Sequence, residues 1–205
     1  MARRKPLQLS PELLLSAYAD AAFPMCDPET GEVAFFTCDP RSIVPLDERF
    51  HIPKSLARVV RSRRFTIRMD SAFGEVIRAC ASDRDEENRN WIGPAIIEGY
   101  ERLHRLGFAH SVEAWREGAL VGGLYGVTLG GAFFGESMFA RPTQGGRDAS
   151  KVCLVHLVEH LRARGFTLLD SQYANEHMKQ FGTCDIPAEE YRRMLDQALV
   201  LATSW

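Results

Sequence analysis

The sequence predicts an α+β protein, a layer of strands with helices packed against it. Three observations carry this. Phe108 to Trp115, Ala119 to Thr128 and Ala132 to Met138 are apolar, strand-like runs. Arg116-Glu117-Gly118 and Gly130-Gly131 separate them as turns, which is the pattern of an antiparallel meander. From Ser150 onward, Val152, Leu154, Val155, Val158 and Leu161 recur at helical spacing until Gly165. Phe166 to Asp170 then reads as a short buried strand. A meander that runs into a β-α-β-α unit folds as an α+β layer.

The remaining elements follow in order. Ser10-Pro11-Glu12 starts a helix, with Ser10 as N-cap and Pro11 in the first turn. It runs through LLLSAYADA and stops before Pro24. Asp27 to Gly31 is turn-rich, and Glu32 to Thr37 suits a strand. Pro40, Pro45 and Pro53 mark an irregular stretch. Lys54 to Arg63 predicts a helix with Leu56, Val59 and Val60 facing inward. Phe65 to Met69 alternates as a strand, and Ser71 to Cys80 is a short helix. ASDRDEENRN, residues 81–90, is a polar loop. Trp91-Ile92 opens a helix that Gly107 ends. A Gly-rich loop, Thr143 to Arg147, precedes a helix capped by Ser150. Ala174 to Phe181 is a brief helix, and Pro187 to Ala202 is the last, with Pro187 at its first position. No internal repeat or low-complexity segment interrupts the chain.

Composition narrows the class. With 45% hydrophobic and 25% charged residues, the composition is that of an ordinary soluble globular protein, and no apolar run approaches the ~20 residues needed to cross a bilayer. The N-terminal MARRKPLQLS is basic without an apolar core, so no export is expected. The five cysteines, Cys26, Cys38, Cys80, Cys153 and Cys184, are scattered and form no CxxC pair. That argues against a disulfide framework and a zinc site and for a reducing cytoplasm. A net charge of -2 hides a basic run. Arg41, Arg49, Lys54, Arg58, Arg61, Arg63, Arg64 and Arg68 are opposed only by Asp47 and Glu48. It is either a phosphate-facing surface or a solvated helix face.

Candidate chemistry concentrates in residues 109–151. Gly122, Gly123, Gly126, Gly130, Gly131 and Gly135 lie inside or between strand-like runs. Glycine weakens a strand unless a ligand or another backbone must come close. Glu136 sits in an apolar hairpin between Phe134 and Phe139 and needs either solvent or a partner. A pocket with one acid inside and a twisted hairpin with Glu136 outward both fit. Asp170 and Gln172 end the buried strand on one side of it. With Glu136 nearby they form an acid-amide-acid cluster able to orient an amine and relay its proton. Capping of a nearby helix is the other reading. His156 and His160 have metal-ligand spacing, but no Glu or Cys completes a site, and the histidines read as surface or rim residues. Phe35, Phe36, Phe133, Phe134 and Phe139 are either core aromatics or candidates for stacking on a base. Trp91, emerging from a polar loop, is a candidate for stacking on a base.

A Gly-rich turn leading from a strand into a capped helix resembles the acyl-coenzyme A acetyltransferase superfamily, although RPTQGGRDASK does not match its glycine loop cleanly. A closer resemblance covers nearly the whole chain. LLLSAYADAAFP, CDPR, FHIPKSL, ASDRDEENRNWI, AHSVEAW, WREGALVGGLYGV, FFGESMF, ASK, LLDSQ and IPAEEYRRML resemble the bacterial leucyl/phenylalanyl-tRNA protein transferases in order, spacing and identity. The resemblance implies an acetyltransferase-like (GNAT-type) mixed sheet with flanking helices, residues 43–205. A small α/β N-terminal domain, residues 1–42, precedes it. It implies transfer of Leu or Phe, with Met as a further case, from aminoacyl-tRNA to the α-amino group of a protein beginning with Arg or Lys. The product is a peptide bond and a degradation signal.

By this resemblance, Glu136 orients the aminoacyl group or the 3′ adenosine, and Asp170 and Gln172 bind and activate the attacking amine. Leu124, Phe134, Met138 and Leu169 line the aminoacyl pocket, where a flexible Met suits two unlike side chains. Trp91, Ser150 and Lys151 join the substrate-binding set. Lys54, Arg58, Arg61, Arg63 and Arg64 grip the tRNA through phosphate. No metal or cofactor is expected, since the ester is already activated, and a monomer without membrane attachment is favoured. The family's Gly-Leu-Leu-Ala and Gly-Gly-Asp-Leu N-terminal stretch is missing. Its FPW reads Phe23-Pro24-Met25, and its Trp-Trp-Ser-Pro reads Phe35-Phe36-Thr37-Cys38. The alternatives are a coenzyme A-dependent N-acetyltransferase, a non-catalytic RNA-binding protein, and the same transfer onto acidic N-termini.

Overall fold

The computed structural model describes residues 9–82, 91–173 and 176–205. Helix α1 spans Pro11–Ala19, and the Ser10 hydroxyl accepts from the Leu13 amide at 3.2 Å, as its N-cap position requires. Strands β1 (Phe23–Cys26) and β2 (Val33–Phe36) form a separate two-stranded antiparallel hairpin. Strand β3 (Arg41–Val44) leads to α2 (Lys54–Arg61), β4 (Thr66–Met69), α3 (Phe73–Ser82) and α4 (Pro94–Arg105). The meander comprises β5 (Ala109–Arg116), β6 (Ala119–Leu129) and β7 (Ala132–Ala140). After it come α5 (Ala149–Ala163), β8 (Leu168–Gln172), α6 (Glu176–Lys179), β9 (Cys184–Ile186) and α7 (Ala188–Leu199).

Seven strands form one mixed sheet in the order β4-β5-β6-β7-β8-β3-β9. Every pair is antiparallel except β7 and β8, joined in parallel through the crossover helix α5. One apolar cluster covers one face, with Leu14 and Tyr18 of α1, Ile96 and Tyr100 of α4, and Tyr191 and Leu195 of α7. A second contains Val152, Val155 and Leu161 of α5 and Leu56 of α2. This is the mixed α+β layer that the strand and helix patterns predict.

Three strands depart from expectation. β1 contains Pro24, tolerated because a two-stranded hairpin has an outer edge that needs no amide donor. β3 was expected to be irregular, yet Pro40 and Pro45 flank it and leave four residues free to pair with β8 and β9. β9 has only three residues, too few to display alternation.

Three helix starts also shift. Trp91 stays outside α4, which begins at Pro94 behind Gly93. Asp148 (φ 67°), not Ser150, occupies the N-cap position of α5, so Ser150 lies inside the first turn. Pro187 stands at the N-cap of α7, not one residue further in.

The glycines of β6 serve packing. A Cβ on Gly122 would come within 2.5 Å of the Ala149 Cβ, so Gly122 lets α5 approach the sheet. Of the glycines singled out in the sequence, Gly135 alone lines the main cavity among the described residues. Glu113, fully buried on β5, accepts from the amides of Ser71 and Ala72 at 3.0 and 3.1 Å and so caps the N-terminal end of α3. The loop reading of residues 81–90 falls almost wholly on residues 83–90, outside the described residues, as does Ala174.

Candidate active site

A cavity of about 830 Å³ opens beside β7 and β8. The register of β6 on β7 shifts between Tyr125 and Gly126: Gly126 faces Gly135 and Tyr125 faces Ser137. Glu136 is therefore the extra residue of a bulge, a device that re-aims a side chain. The half-buried Glu136 lines the cavity and reaches two tyrosines. Its Oε1 accepts from the Tyr18 hydroxyl at 2.7 Å and its Oε2 from the Tyr100 hydroxyl at 3.1 Å. The two tyrosine hydroxyl oxygens also lie within hydrogen-bonding distance of each other, so two hydroxyl hydrogens are shared among three contacts. Gln172 Nε2 donates to Glu136 Oε1 at 3.3 Å, which joins acid and amide. Burial pushes the Glu136 carboxyl up to about 7, while the tyrosine hydroxyls pull it down. Burial first, and then Glu136 itself, push both tyrosines well above their ordinary range.

Asp170 also lines the cavity, but its side chain is fully buried and its oxygens are taken. Arg41 binds it in bidentate fashion, Nε to Oδ1 at 2.9 Å and Nη2 to Oδ2 at 2.6 Å. The Tyr191 hydroxyl donates to Oδ2 at 2.9 Å, and the Gln172 amide donates to Oδ1 at 2.9 Å. Arg41 is held in turn by the Ala21 carbonyl at 3.0 Å and lies over the rings of Phe23 and Tyr191. Its place in the exposed basic run is thus corrected: Arg41 is 1% exposed and serves Asp170. Gln172 has φ 58°, a conformation uncommon for a residue with a side chain. The Asp170 carboxylate on its amide and the Cys38 thiol, donating to its carbonyl at 3.3 Å, hold it there.

Leu124, Met138 and Leu169 line the apolar part of the cavity, as expected. Phe134 does not. Strand alternation turns it to the opposite face, where its fully buried ring packs 4.7 Å from Tyr18. Trp91 and Met25 also line the cavity, as do Arg147, just before α5, and Ser150 and Lys151 in its first turn. Lys54, Arg58, Arg61, Arg63 and Arg64 are all exposed. Arg64 links this basic surface to the cavity mouth, donating to the Arg147 carbonyl and lying 3.8 Å from the Asp148 carboxylate. The histidines lie apart from this cavity except for His177, which lines it; His104 and His110 share Asp70, at 3.9 and 2.8 Å, and His110 and His160 both pack against the Trp205 ring. His110 is buried, bonded to Asp70 at 2.8 Å, and is not a rim residue. His156 faces Glu159 at 3.5 Å, and His160 packs against the Trp205 ring.

Nothing in the residue pattern marks Tyr18, Tyr100, Arg41 or Tyr191 as site residues. Tyr18, Arg41 and Tyr191 lie within the quoted LLLSAYADAAFP, CDPR and IPAEEYRRML blocks, which were the available signal; only the fold brings them to Glu136 and Asp170.

The profile for leucyl/phenylalanyl-tRNA protein transferase matches residues 43–196, and that for the family's N-terminal domain matches residues 8–39. The chain belongs to this family. The transferase of that name from Akkermansia muciniphila is 55% identical over 192 residues, covering 94% of this chain and 97% of its own. The one from Salinibacter ruber is 52% identical over 200 residues, 98% and 84% of the two chains. A ribosomal-protein-alanine N-acetyltransferase from Brucella melitensis aligns with 70% of this chain and 94% of its own, at 14% identity and TM-score 0.40, too weak to bear on the chemistry. As a family member the chain is an aminoacyl-tRNA protein transferase, an aminoacyltransferase. Among the described residues no helix is long and apolar enough to cross a membrane.

Proposed function

We propose that this transferase moves Leu or Phe from aminoacyl-tRNA to the α-amino group of a cytoplasmic protein beginning with Arg or Lys. Peptide-bond formation from an ester needs a positioned carbonyl, a neutral amine and an outlet for one proton. The Glu136–Gln172 contact at the cavity, 3.3 Å, is the observation that carries the reading. Because Glu136 accepts from the Gln172 side-chain NH2 group, the side-chain oxygen Oε1 of Gln172 is the atom that accepts a hydrogen from the attacking amine. Asp170, saturated by Arg41, Tyr191 and the Gln172 amide, acts by holding Gln172 in place. The amine nitrogen bonds to the ester carbonyl carbon, the ester C–O bond breaks, and the surplus proton ends on the departing 3′ oxygen.

Leu124, Met138 and Leu169 offer the aminoacyl side chain an apolar wall that burial favours. Trp91 and Met25 flank the 3′ adenosine, and Ser150 and Lys151 meet the phosphate behind it. The exposed face of α2 with Arg63 and Arg64 receives the acceptor stem. The test is incubation of the purified protein with radiolabelled leucyl-tRNA and peptides beginning with Arg, Lys, Asp or Glu. Labelled Arg and Lys peptides are expected. Label confined to the Asp and Glu peptides would overturn the acceptor assignment. Acetyl transfer from acetyl-coenzyme A with no labelled peptide would overturn the reaction.

A further inference from the structure

A basic N-terminal residue brings a cation into the site, and its recognition needs a group that favours positive charge. Carboxylates do this most directly, so those lining the cavity come first. Glu136 already accepts from Tyr18, Tyr100 and Gln172. Asp170 is saturated by Arg41, Tyr191 and the Gln172 amide. Asp148 lies 3.8 Å from Arg64 and 3.7 Å from Lys151. Among the described residues that line the cavity, every carboxylate is therefore committed.

An aromatic face is the other group that attracts a cation, through the negative charge on its ring. Phe23 lines the cavity, but it is 4% exposed and its ring carries the Arg41 guanidinium. Tyr173 is different. It lines the cavity, follows Gln172 directly and is 50% exposed. Strand β8 ends at Gln172, where φ of 58° turns the chain out of the sheet. The Tyr173 ring is braced perpendicular to Phe23, centroids 5.6 Å apart at 88°, which fixes its attitude before any substrate arrives.

We propose that Tyr173 is the residue that selects the acceptor, its ring receiving the guanidinium or ammonium of an N-terminal Arg or Lys. The inference rests on the function proposed above, which places the acceptor's α-amine at Gln172. The side chain on the same acceptor residue then extends from a point next to Tyr173. A ring face attracts a cation and repels a carboxylate, so it also discriminates between basic and acidic N-termini.

The probe is a pair of acceptor peptides that differ only in their first residue, Arg or its neutral isostere citrulline. Wild type, Tyr173→Ala and Tyr173→Phe are compared in steady-state transfer from leucyl-tRNA. Tyr173→Ala should raise KM for the Arg peptide about three- to tenfold, the scale of a partly exposed cation–π contact. It should leave KM for the citrulline peptide and for leucyl-tRNA unchanged. Tyr173→Phe keeps the ring and should behave as wild type. An equal loss on Arg and citrulline peptides, or a raised KM for leucyl-tRNA, would overturn the assignment. A wild-type protein that labels neither peptide overturns the function proposed above, and the inference with it.

Discussion

Replacing Asp170 with Asn keeps the shape of the side chain and removes its charge. In the wild type the carboxylate accepts four hydrogen bonds, two from Arg41, one from Tyr191 and one from the Gln172 amide. Arg41 and Asp170 are 1% and 0% exposed, so water cannot replace what the substitution removes. The Asn NH2 group would direct donors at a guanidinium or a hydroxyl that itself donates. Leaving one member of a buried pair uncompensated costs about 3–5 kcal/mol. For a chain of this size each kcal/mol lowers the melting midpoint by about 2–4 °C, so the midpoint should fall by roughly 6–20 °C. Because Oδ1 also anchors the Gln172 amide, turnover should fall by about 10²-fold, while aminoacyl-tRNA affinity holds. Thermal denaturation followed by circular dichroism measures the first effect. Single-turnover transfer well below the variant's midpoint, beside filter binding of tRNA, measures the second. A midpoint within about 2 °C of wild type, with full turnover, would refute the reasoning on both counts.

Two further outcomes follow from the same site. Glu136 titrates near 7 against an ordinary 4.5, so the folded state holds that proton more tightly than the unfolded chain. Its contribution to stability is greatest at low pH and is lost as pH rises from 4.5 through about 7, by up to about 3 kcal/mol. Glu136→Gln should lack this component, and urea denaturation at pH 5 and pH 8 checks it; parallel pH dependences in the two proteins would contradict the argument. Reversing Lys54 and Arg61 to Glu should weaken tRNA binding for every aminoacyl form alike and flatten its salt dependence, since fewer counterions are released. Unchanged affinity in a salt titration would make α2 a solvated face.

Periodicity and punctuation located the meander, the crossover helix and the strand ending at Gln172, because long amphipathic elements announce themselves. They missed β3, four residues between prolines, although Arg41 within it holds Asp170. A buried arginine in a basic run looks like its exposed neighbours until its partner, 129 positions away, is placed beside it. The acid-amide pair of Glu136 and Gln172 was legible as polar residues in apolar strands. Its direction was not, because a bulge decides where Glu136 points and a register shift of one residue leaves little trace in the sequence. Phe134 was misplaced for the same reason: apolar on a strand of apolar residues, it gave no sign of which face it occupies.

The most direct test of the account is Gln172→Ala in single-turnover transfer of labelled leucine from leucyl-tRNA to a peptide beginning with Arg. If the Gln172 amide receives the attacking amine, transfer should slow by about 10²-fold or more while leucyl-tRNA binds as tightly as to wild type. Transfer at the wild-type rate would contradict it, because the Gln172 side chain, bonded to Glu136 and set in place by Asp170 through its main-chain amide, would then have no part in the reaction.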